Sequence, residues 1–160
     1  MSNLGIIQKK IETCIRLREY LVFSREKANR LGIVGKNGKD MSLEEGDVLA
    51  AFRMRFSEYQ EQLGKLLVSI AREEDVEIKG ASSLAAFAEK FGFVASEDDW
   101  KRARDVRNNI NHDYEFQDDF VAELTVAMSN ETDTLFKILD DALFFCEETY
   151  GINVRHTNNC

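Results

Sequence analysis

Residues 49–70, LAAFRMRFSEYQEQLGKLLVSI, contain the clearest periodicity in the 160-residue chain. Apolar residues recur there at alternating steps of three and four, which places them on one face of an α-helix. The members of this face are Leu49, Phe52, Phe56, Tyr59, Leu63, Leu66 and Ile70. Such a stripe is typical of a seam in a helical bundle. We therefore expect a long helix whose stripe is buried against the first and last helices.

The N-terminal part of the chain predicts a first helix over residues 4–31. Its apolar stripe consists of Leu4, Ile7, Ile11, Cys14 and Leu21. Residues 32–40 contain three glycines and exposed charges, which is typical of a loop. Ser42 and Glu45 then form a capping-box pattern, which predicts the start of the second helix.

Three further helices are expected in the second half of the chain. Ser82 or Ser83 is expected to cap a short helix, and Ser96 is expected to cap a helix that ends near Asn109 or Asn111. The last helix is predicted over residues 118–150, with Gly151 as its stop. The residues expected to face inward are Val121, Leu124, Met128, Leu135, Ile138, Ala142 and Phe145.

These segments predict an all-α fold, a helical bundle in a single domain over residues 1–151. Residues 152–160 are expected to form a flexible tail. The chain contains no proline, which fits long uninterrupted helices. Its net charge of −8 argues against nucleic-acid binding through bulk attraction, so any such site must be a local basic patch.

The cysteines and the hydropathy exclude several other classes of protein. Cys14, Cys146 and Cys160 are widely spaced and form no CxxC pair. We interpret Cys14 and Cys146 as reduced thiols of a cytoplasmic protein that pack in the core. We expect no metal site and no cofactor, because neither metal-ligand clusters nor a phosphate-binding loop is present in the sequence. No stretch approaches the roughly 18 apolar residues needed to span a bilayer, so no membrane association is expected.

The segment RNNINHDY (107–114) is the strongest candidate for a functional site. On a helix Asn108 and His112 share one face, and Arg107 and Asn111 share the adjacent face. Histidine can transfer a proton near neutral pH, and arginine offers a fork of donors to phosphate oxygens. This set suits a phosphodiester. The alternative is a structural His112 that caps the helix or is hydrogen-bonded in the core.

A short basic run precedes this segment. Lys101, Arg102, Arg104 and Arg107 are opposed only by Asp105 over residues 101–112, which gives a net charge of +3. The first three of these cations are candidates for binding RNA or another phosphate ligand. The alternative is a solvated helix face whose cations pair with neighbouring acidic residues.

The proton-transfer chemistry bears on the oligomeric state. The second histidine of the chain, His156, lies in the expected tail, so one copy supplies only His112 to a site. A single histidine cannot easily act as both acid and base in a cleavage step. We therefore expect a symmetric homodimer that brings two copies of the segment together.

The pattern Arg107-x4-His112-x-Tyr114 resembles the RX4HXY signature of the HEPN superfamily (higher eukaryotes and prokaryotes nucleotide-binding domain). Within it, the chain is most similar to the HepT-like toxin branch. The resemblance extends over most of the sequence. Three further segments are similar to prokaryotic HEPN proteins encoded beside a minimal nucleotidyltransferase: FRMRF (52–56), FAEKFG (87–92) and WKRARDVRN (100–108).

The resemblance implies a four- or five-helix up-and-down bundle and a homodimer with the motifs at its interface. It also implies metal-independent endoribonuclease activity on RNA. Carried over to this chain, Arg107 would stabilise the phosphate, His112 would transfer protons and Asn108 would support them. Tyr114 matches the tyrosine that a cognate nucleotidyltransferase antitoxin adenylylates to silence the toxin.

The sequence leaves more than one function open. The first is the endoribonuclease toxin of a toxin–antitoxin pair with a minimal nucleotidyltransferase. The second is a non-catalytic subunit that binds a substrate or nucleotide for such a partner, and the third is a structural protein with an inert histidine. In a departure from the family, Asn109 and Asn111 add polar groups to the spacer, which leaves the orientation of His112 open.

Overall fold

The computed structural model describes residues 1–111 and 118–154, which form five α-helices and one 3-10 turn. In chain order the helices are α1 (Asn3–Arg30), α2 (Leu43–Glu73), α3 (Ala81–Lys90), α4 (Glu97–Ile110) and α5 (Asp118–Tyr150), and the 3-10 turn spans Gly38–Asp40. These described ranges contain no strand. The predicted all-α bundle is confirmed.

The first two helices run antiparallel. The side chain of Asn3, at the start of α1, donates to Glu73 at the end of α2 over 2.8 Å. Further along the pair, the guanidinium of Arg55 lies 4.5 Å from the ring centroid of Tyr20. Residue numbers therefore run in opposite directions along the two helices, as in an up-and-down hairpin.

Long-range ion pairs show the direction of the last helix. Arg18 and Arg25 of α1 pair with Asp140 and Asp133 of α5, both at 2.6 Å. Helix α5 is therefore antiparallel to α1 and parallel to α2.

Helix α4 completes the up-and-down order. Arg53 of α2 contacts Ile110 at the end of α4, whereas Gly64 of α2 lies beside Trp100 near its start, so these helices are antiparallel. The four helices α1, α2, α4 and α5 thus alternate in direction. The short helix α3 packs against both α4 and α2.

The stripe on α2 forms the centre of the core, as its periodicity predicts. Phe52, Phe56, Tyr59, Leu63, Leu66 and Ile70 are fully buried, and Leu49 is partly buried. Helix α2 contacts each of the other four helices. The stripe therefore lies on the helix around which the bundle is assembled, and α4 meets that helix at Arg53 and Gly64, outside the stripe.

Local signals predicted most helix starts correctly. Ser42 and Glu45 form the expected capping box, and Ser96 caps α4 with Asp99 as its reciprocal partner. The prediction for α3 was wrong, because Gly80 is the N-cap and the helix begins at Ala81. The hydroxyl of Ser83 instead reaches back and accepts from the backbone N–H of Lys79 and Gly80.

Residues near the two chain termini differ from the sequence expectation. Leu4 is exposed, because Asn3 is the residue of the first turn that bonds to α2. At the other end, Ile152 and Val154 are buried in the core after the left-handed turn at Gly151. Packing therefore continues beyond the expected domain boundary at residue 151, while residues 155–160 lie outside the described part.

Truncation of the α2 stripe should destabilise the whole bundle. We expect Leu63→Ala to lower the free energy of unfolding by about 2–5 kcal/mol, because Leu63 is fully buried and the change leaves a cavity. Urea denaturation followed by circular dichroism measures this loss. Leu43→Ala is the matched control on the same helix, since Leu43 is 93% exposed and should change stability by less than about 0.5 kcal/mol. Equal losses in both variants would contradict the central position of the stripe.

Candidate functional site

The predicted motif begins in the last turn of α4. Arg107 and Asn108 are partly buried there, and the helix ends at Ile110 with Asn111 as its C-cap. The N–H of Asn111 bonds to the carbonyls of Arg107 and Asn108, which closes the last turn. His112 and Tyr114 lie outside the described residues.

The end of α4 is held by a residue that sequence reasoning did not single out. Arg53 of α2 donates to the backbone carbonyl of Ile110 over 2.9 Å. A cation at a helix C-terminus satisfies a carbonyl that has no partner within the helix and interacts favourably with the helix dipole. This contact fixes the last turn of α4, and with it the backbone of Arg107, against α2.

The guanidinium of Arg107 faces α2. Its Nη2 lies 3.6 Å from Oε2 of Glu61, and its Nε is buried without a hydrogen-bond partner. The side chain is 28% exposed, so its remaining donors are accessible from one side. Glu61 also lies 3.7 Å from Nζ of Lys65, so one carboxylate is shared by two cations.

Arg107 lines a cleft of about 520 Å³ between α2 and α4, with contributions from α1 and α3. Five cations and one acid line it, which gives this surface a net charge of +4 in a chain of net charge −8. The cations are Lys10, Lys65, Arg72, Arg104 and Arg107, and the acid is Glu61. We call this surface the cationic cleft. Its charge favours an anionic ligand.

The cations of the predicted basic run, residues 101–107, face different sides of α4. Arg104 lies one turn before Arg107 and lines the cationic cleft with it. Arg102 points elsewhere and pairs with Asp99 at its own helix start and, over 3.3 Å, with Glu131 of α5. Lys101 is partly buried and lies outside the cleft. The structure therefore brings one of the three predicted phosphate ligands together with Arg107.

Three cations of the cleft were missed in the sequence. Lys10 comes from α1, and Lys65 and Arg72 come from α2, so the group is assembled by tertiary packing. One signal was present, because Glu61, Lys65 and Arg72 share one helix face, roughly opposite the apolar stripe. Their position in a cleft could not be read from that spacing.

Cys14 and Cys146 are buried and free, as expected, and burial raises the pKa of each thiol to about 12, which keeps both protonated at neutral pH. In residues 1–111 and 118–154 no three His, Cys, Asp or Glu side chains are grouped to hold a metal ion. None of the helices in this part of the chain is both long and apolar enough to cross a membrane.

No protein-family model, curated protein or solved structure matches this chain.

The shared carboxylate should weaken anion binding in the cationic cleft. We expect Glu61→Gln to increase the affinity for inorganic phosphate about threefold for each charge on the ligand. Removing one unit charge about 6 Å away is worth about 0.7 kcal/mol at the dielectric constant of water. Isothermal titration at low ionic strength measures the gain, which added salt should reduce.

Glu58→Gln is the matched control for this measurement. Glu58 lies on the same helix but pairs with Arg55, outside the cleft. Equal gains from both substitutions would mean that phosphate responds to net charge alone and that the cationic cleft is not its binding site.

Proposed function

We propose that this chain is a HEPN-type, metal-independent endoribonuclease, the toxin of a pair with a minimal nucleotidyltransferase. The observation that carries the proposal is the position of Arg107. It is the first residue of the RX4HXY pattern, and it lines a cleft whose net charge is opposite to that of the chain. RNA brings a phosphodiester to such a surface, and a guanidinium binds phosphate oxygens in a forked geometry.

In the proposed reaction Arg107 binds the scissile phosphate. Glu61 is 45% exposed and holds Arg107 at 3.6 Å, so an incoming phosphate can take its place while the carboxylate turns to solvent. The unpartnered Nε then gains an acceptor. The guanidinium stabilises the negative charge that grows on the phosphate oxygens during cleavage.

His112 supplies the proton transfer in this proposal. The RNA 2′-hydroxyl loses its proton to a base and attacks the adjacent phosphorus, and the bond to the 5′-oxygen breaks as that oxygen takes a proton from an acid. The products are a 2′,3′-cyclic phosphate and a 5′-hydroxyl. In a homodimer the two copies of His112 act as base and acid, and Asn108 supports the pair by hydrogen bonding.

The ribonuclease should be active with EDTA present. Arg107→Ala should lower the cleavage rate of single-stranded RNA by about 10²–10³-fold, because charge stabilisation is lost. His112→Ala should lower it by about 10²–10⁴-fold, because proton transfer is lost. Gel electrophoresis of a labelled oligonucleotide measures both rates.

Arg30→Ala is the control for these variants. Arg30 is exposed at the end of α1, outside the cleft and 20 residues, therefore about 30 Å along the helix, from Lys10. Its rate should equal that of the wild type. Cleavage that persists at the wild-type rate in His112→Ala would identify a contaminating nuclease and end the catalytic assignment.

A non-catalytic nucleotide-binding subunit is the second candidate. The observation in its favour is that residues of a single chain line the cationic cleft. Binding a nucleotide there needs neither a second copy of the chain nor a group that transfers protons. This function predicts no RNA cleavage by the wild type, but a stable complex with the cognate nucleotidyltransferase.

Modification of Tyr114 tests how the proposed ribonuclease is silenced. Tyr114 follows His112 by two residues, so adenylylation there would bring a second negatively charged nucleotide close to the phosphate site. Adenylylated wild-type protein should therefore lose ribonuclease activity, whereas Tyr114→Phe should remain active after the same treatment with nucleotidyltransferase and ATP. Mass spectrometry checks the modification. Equal inactivation of both proteins would contradict a regulatory role for Tyr114.

A further inference from the structure

The cationic cleft contains polar atoms that have no partner. Seven buried side-chain polar atoms in the described residues lack a hydrogen bond, and three of them belong to side chains that line this cleft. They are Oε1 of Gln60, Nε1 of Trp100 and Nε of Arg107. Gln60 is 3% exposed and Trp100 is 2% exposed, and the three atoms themselves are almost inaccessible to water, so a ligand reaches them only as the lining side chains move apart.

Unpartnered buried donors and acceptors are costly to a fold, and native proteins contain few of them. Their grouping in one cleft is typical of a binding site, where a ligand completes the hydrogen bonds. Here the group includes one acceptor, the amide oxygen of Gln60, and one donor, the indole N–H of Trp100. A ligand that bonds to both must offer a donor and an acceptor of its own.

The remaining lining narrows the chemical class of the ligand. Ile6, Val68 and Leu84 add apolar surface, and the cations described above surround it. The volume of about 520 Å³ lies within the usual range for small-molecule sites. A nucleotide combines the three required properties, because its flat apolar base carries donors and acceptors on its edge and its phosphate is anionic.

We propose that Gln60 and Trp100 form a base-recognition subsite for one nucleotide within the cationic cleft. The base edge donates to the amide oxygen of Gln60 and accepts from the indole of Trp100, while Lys65 and Arg72 bind the phosphate. This inference rests on the proposed function in one respect, since it takes the nucleotide to be part of the RNA chain whose scissile phosphate is bound by Arg107. The same chemistry would bind a free nucleotide.

Trp100 makes the subsite observable, because it is the only tryptophan in the chain. Its fluorescence and its single indole N–H resonance both report on the cleft. The probes are the four nucleoside 5′-monophosphates, single-stranded RNA hexamers of one base each, and ribose 5-phosphate, which has the phosphate and sugar but no base. The monophosphates and ribose 5-phosphate are titrated into wild type and His112→Ala, and the hexamers into His112→Ala alone, so that cleavage does not consume them.

At least one base-bearing probe should bind at least about tenfold more tightly than ribose 5-phosphate and shift the indole resonance downfield. Gln60→Leu should remove that tenfold difference and leave the affinity for ribose 5-phosphate unchanged. It should not lower the denaturation midpoint, because it replaces an amide whose oxygen is buried without a partner by an apolar group of similar size. Gln62→Leu, on the same helix but outside the cleft, should behave as the wild type.

Equal affinities for ribose 5-phosphate and every base-bearing probe, or an unmoved indole resonance, would overturn the subsite. The resonance decides the question even where Gln60→Leu does not fold.

Tight binding of a monophosphate assigns a free nucleotide as the ligand, and tight binding of a hexamer alone assigns RNA. Both outcomes support base recognition. Base-dependent binding without RNA cleavage would remove the proposed nuclease and leave the subsite, whereas cleavage without base-dependent binding would do the reverse.

Discussion

The burial of one face of α2 is the constraint on which the rest of the molecule depends. This 31-residue helix contacts every other helix, and its aromatic and aliphatic stripe excludes water from the centre of the bundle. Because the apolar face is fixed inward, the roughly opposite face with Glu61, Lys65 and Arg72 is left facing outward, at the groove beside α4. The same packing that stabilises the fold therefore positions the charges of the cationic cleft.

The distribution of charge also limits what can bind. The chain has a net charge of −8 and the cleft lining contributes +4, so the remaining residues carry −12. A long duplex laid across the surface would meet this repulsion over most of its length. A short single-stranded segment or a single nucleotide meets mainly the cleft, where the favourable contacts are concentrated within a few ångströms.

Periodicity and capping signals predicted the helices because both are local properties of the chain. Both could be recognised without the tertiary structure: the heptad-like face at Phe52 and Phe56, and the capping box at Ser42. The cleft could be predicted only in part, because Arg107 and Arg104 are neighbours in sequence whereas Lys10 and Gln60 reach the site through packing. The start of α3 was predicted wrongly for a local reason: Ser82 and Ser83 are both good N-cap residues, but Ser83 is the third residue of the helix and its hydroxyl reaches back to the N–H groups of Lys79 and Gly80.

The bond between Arg53 and the carbonyl of Ile110 has a consequence for the order of folding. A helix of 14 residues, such as α4, is only marginally stable in isolation. Its last turn gains this tether only when α2 is already in place. During synthesis from the N-terminus, the α1–α2 hairpin is complete before α4 emerges. The nascent chain therefore acquires the geometry around Arg107 late, after the scaffold that holds it has docked.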